Sequence, residues 1–61
     1  MTDAEKALHD LKNYLSIILG FSELLITASA SDDQRRRDLE EIRKAALAAM
    51  DRLARVFPRR P

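Results

Sequence analysis

From Leu8 to Ile26 the chain sets apolar side chains at alternating three- and four-residue steps. Leu8, Leu11, Leu15, Ile18, Ser22 and Leu25 follow an a/d heptad, and Tyr14, Ile17, Leu19, Phe21, Leu24 and Ile26 flank it on both sides. At about 100° per residue this arc covers about 220°, wider than the ~100° stripe that faces one neighbour. A single partner helix cannot cover it. A second run, Leu39, Ile42, Ala46, Ala49, Leu53 and Val56 with Ala45, Met50 and Phe57 beside it, covers about 140°.

The ends of both helices are written in polar residues. Thr2 followed by Glu5 spells a capping box, and Ser31 followed by Gln34 spells another. Asp32 and Asp33 stand where a helix dipole favours negative charge. Gly20 is the only interruption of the first run, at roughly 1 kcal/mol relative to Ala. Pro58 disfavours helical geometry in the residue before it. These signals predict an all-α chain: a helix over about 3–27, a loop over about 28–31 and a second helix over about 32–57. Each helix would span roughly 37 Å, and so short a link forces an antiparallel hairpin. Two hairpins joined as a four-helix bundle, first helices central, would satisfy both apolar arcs. A homodimer is therefore expected.

Composition strengthens that expectation. The chain has 61 residues, no cysteine and one histidine, so neither disulfides nor a zinc cluster can compensate for a small core. Association is the remaining device. The net charge of +1 gives no push toward nucleic acid or membrane. Arg35, Arg36, Arg37, Arg59 and Arg60 could suggest a nucleic-acid surface. Asp32, Asp33, Asp38, Glu40 and Glu41 interleave with the first cluster, however, and no aromatic platform accompanies either. A solvated face with pairs such as Glu40–Lys44 accounts for them. No uninterrupted apolar run approaches ~20 residues, and the N-terminus lacks a basic-then-apolar leader. The expectation is a cytoplasmic protein that binds no nucleic acid and no membrane through this chain.

The first helix keeps one narrow polar face, made of His9, Lys12, Asn13, Ser16, Gly20, Glu23 and Thr27 within about 100°. His9 lies at its middle and points to solvent. Asn13 follows one turn later and shares its surroundings. Asp10 can hold one ring nitrogen of His9, fix the tautomer, and take the proton as a P–N bond forms. Its angle falls among Ile17, Phe21 and Leu24 on the apolar arc, though nearness to the helix start also suits an anion there. By spacing alone, an exposed His followed by Asp is weak evidence of chemistry, since most such residues are ordinary solvated surface.

His9-Asp10-Leu11-Lys12-Asn13, continuing Tyr14-Leu15-Ser16-Ile17-Ile18-Leu19-Gly20-Phe21-Ser22-Glu23-Leu24-Leu25, resembles the H-box helix of sensor histidine kinases. Asp38 through Ala46 and onward through Leu53 is similar to the second helix of the same dimerisation and histidine-phosphotransfer domain. The resemblance implies that His9 accepts the phosphoryl group, Asp10 acts as the acid/base helper, and Asn13 orients a water or the phosphoryl group. Tyr14 replaces a proline frequent in that family, so the helix should run straight. Lys12 stands where arginine is common, keeping the charge without the bidentate fork.

The family's ATP-binding domain has no counterpart here. With Gly20 as the single glycine, inside a helix, nothing can cradle a nucleotide phosphate. The chain should carry no cofactor and be unable to autophosphorylate alone. Magnesium is expected on a partner kinase or receiver domain. The start at Met1 favours a freestanding phosphotransfer protein over a kinase fragment. Implied partners are a separate histidine kinase or ATP-binding domain and a response-regulator receiver domain, docking on Lys12, Ser16, Gly20 and Leu47. Leu47 is singled out because it is a leucine among Arg36, Glu40, Arg43 and Asp51. The competing reading is a dimeric helical module that binds or sequesters a kinase or regulator, with His9 idle.

Overall fold

A computed structural model describes residues 2–57, so the expectations resting on Pro58, Arg59 and Arg60 lie outside the described residues. The chain forms two helices, α1 (Asp3–Ala28) and α2 (Gln34–Val56), packed as an antiparallel hairpin. Its radius of gyration is 14.1 Å, against about 10.5 Å for a compact domain of this length. It is a rod, too thin to enclose a core.

The first capping box is formed. The Glu5 amide donates to Thr2 Oγ1, and the Thr2 amide donates back to Glu5 Oε1, both at 3.1 Å. The Thr2 backbone N–H, and after it the Thr2 hydroxyl, hold the Glu5 carboxyl below its ordinary value of 4.5. The second box is not formed. Ser31 sits in a turn closed by Asp33 N–H donating to Ala30 O at 3.1 Å, and α2 is capped by Asp33, whose carboxylate accepts from the Arg35 amide at 2.9 Å. A carboxylate there both accepts a bond and answers the helix dipole, and so outcompetes a hydroxyl two residues earlier. Gln34, expected to reach back, instead donates to Asp38 and accepts from Arg37. The connection consequently runs from Ser29 to Asp33, later than the sequence suggests.

The far end of α1 has no basic residue in its last turn. Arg36 reaches across from α2, and its Nη1 donates to Ile26 O at 3.4 Å and Ser29 O at 3.3 Å. One guanidinium thus gives Ser29 O a donor and Ile26 O, which already accepts from the Ser29 amide, a second one, and so clamps the loop end of the hairpin.

The seam between the helices differs from the expected heptad. Leu8, Lys12, Leu15, Leu19 and Ile26 are half-buried and Ser22 is buried, while Leu11, Ile18 and Leu25 are 48%, 46% and 51% exposed. Opposite them stand Leu39, Arg43, Ala46, Met50 and Leu53, with Ile42 and Val56 exposed. An arc of about 220° contains two heptad lines side by side, so periodicity alone could not choose between them. The hairpin takes one line and leaves the other. Ser22 and Ala46, each 3% exposed, are the buried residues of the described chain, and both are small enough to let two backbones approach closely. The Ser22 hydroxyl donates to Leu19 O at 2.8 Å, which removes the cost of burying it.

The charged and polar residues of α1 interrupt its apolar run without removing its overall hydrophobicity. The helix has 26 residues and a window of mean hydropathy 1.2, long and apolar enough by composition to cross a membrane. The core helix of a soluble protein and a signal sequence near the N-terminus share that composition.

Candidate functional site

His9 stands on the second full turn of α1, beyond the capped end, where the backbone is regular helix. Its side chain is 75% exposed. Nδ1 lies 3.8 Å from Asp10 Oδ1. That separation is longer than a hydrogen bond, yet within the range where a small rotation of either side chain makes one. With Nδ1 turned toward the carboxylate, Nε2 is the nitrogen presented away from it. Asp10 is half-buried among its neighbours.

Asn13 and Ser16 lie on the same exposed face as His9, one and two turns along. The Ser16 hydroxyl donates to Lys12 O at 2.9 Å, so it is partly occupied by its own helix. Lys12 departs from the expected exposed face, because the seam shift brings it half under α2. It belongs to the border between the seam and the polar stripe. Gly20 is fully on the stripe: a Cβ built there meets nothing within 4 Å. With Glu23, Leu24, Thr27 and Ala28 it lines an open depression in the loop-side half of α1. Eleven residues separate Gly20 from His9, about 16 Å along the axis. Leu47, 40% exposed, lies on the α2 flank that adjoins this stripe.

Two residues that the sequence did not single out tie this face together. Arg43 Nε lies 3.4 Å from Glu23 Oε2, an ion pair from α2 to α1 on the same side as Gly20. Arg36 clamps the loop end below it. Neither pairing has an i,i+3 or i,i+4 signature, so no local spacing could reveal it. The basic run is engaged within the chain: Arg35 pairs with Asp33, Arg36 with Glu40, and Arg37 with Gln34 and Asp32 O. Among the described residues no group of acidic, His or Cys side chains is placed to hold a metal ion.

The arrangement can present one nucleophilic nitrogen beside one carboxylate on a regularly helical scaffold. The depression at Gly20 is open and does not enclose a small substrate. Any reaction there needs a second molecule to bring the reacting group. No protein-family model matches the chain, and no curated protein or solved structure matches it. The geometry alone establishes an all-α antiparallel hairpin.

Proposed function

We propose that this chain is the phosphoryl-accepting histidine module of a two-component signalling pathway, working in the cytoplasm as a homodimeric four-helix bundle. The observation that carries the reading is His9 itself: an exposed imidazole at the centre of the polar stripe, its Nδ1 3.8 Å from Asp10 Oδ1. The H-box-like pattern around it, His9 through Leu25, gives that geometry a chemical purpose.

In the proposed step the Nε2 lone pair attacks the phosphorus of a phosphodonor held by the partner. A P–N bond forms, and the P–O bond to the leaving group breaks with its electron pair. Asp10 stabilises the positive charge that develops on the ring by accepting from Nδ1–H. In the onward step a receiver aspartate attacks the same phosphorus and the P–N electrons return to Nε2. Magnesium on the partner domain would neutralise the phosphoryl oxygens. Asn13, one turn from His9, is placed to orient a water or the phosphoryl group. Ser16, Gly20 and Leu47, with Lys12 at the border, supply the docking face.

The test is transfer of labelled phosphoryl groups between the purified protein and histidine-kinase catalytic domains and receiver domains of its source organism. The reading expects acid-labile label on the wild type, none on His9→Gln, and slower turnover of the label in Asn13→Ala. Stable complexes without any label would instead make the chain a binding module.

A further inference from the structure

We draw no further inference here: the strongest candidate, the exposed apolar strip of α1 formed by Leu11, Tyr14, Ile18, Phe21 and Leu25 on the side of the hairpin away from His9, belongs to the homodimer already proposed, and nothing in the structure shows what else would cover it.

Discussion

At residue scale, Glu5 shows how a local signal becomes a measurable property. Its bonds to Thr2 exist in the folded chain and favour the carboxylate, so its folded value lies below its unfolded one. The stabilisation is therefore present above pH 4.5 and lost as pH falls through the lower folded value. A carbon-detected titration of the Glu5 carboxyl should show that downward displacement in wild type and a smaller one in Thr2→Ala, which removes the hydroxyl but keeps the backbone N–H that contributes most. Gly20 makes a second prediction. A methyl group there meets nothing in the hairpin, so Gly20→Ala should stabilise the protein by about 1 kcal/mol in thermal melts. If Gly20 belongs to a docking face, the same substitution should weaken transfer to a receiver while His9 still labels. The exposure of His9 was legible in the sequence because it follows from helical phase alone. Asp10 was legible as a partner for one ring nitrogen, but neither which nitrogen nor the 3.8 Å separation was, because adjacent residues on a helix diverge by about 100° and their rotamers decide how closely they meet.

At the scale of elements, Thr2 and Glu5 announced the start of α1 correctly, and Ser31 and Gln34 misannounced the start of α2. Two potential caps stood two residues apart, and the charge of Asp33 decided between them. The seam was legible as apolar and not as a particular line, since α1 carries two heptads and the hairpin could use either. Arg36 was unreadable for a different reason. Its role depends on the carbonyls of Ile26 and Ser29 arriving from another element. Arg36→Ala should cost about 1 kcal/mol and show its largest loss of amide protection at the loop end of α1. Ala46 is buried in the seam, 3% exposed, so Ala46→Leu should overpack it and cost about 1–3 kcal/mol in denaturant melts.

At the scale of the whole molecule, the two sides of the hairpin have different characters. One side carries His9, Asn13, Ser16, Gly20 and the Glu23–Arg43 pair, the polar stripe on which proposed chemistry and docking depend. The other presents the unpartnered strip through which a second copy would complete the fold. The most direct measurement of the central claim is long-range ¹H–¹⁵N NMR of the His9 imidazole in the protein incubated with a charged kinase or receiver domain. Phosphorylation at Nε2, with its ¹⁵N resonance split by phosphorus and the splitting abolished by acid, is the predicted result. A His9 ring unchanged in a complex that has demonstrably formed would contradict it.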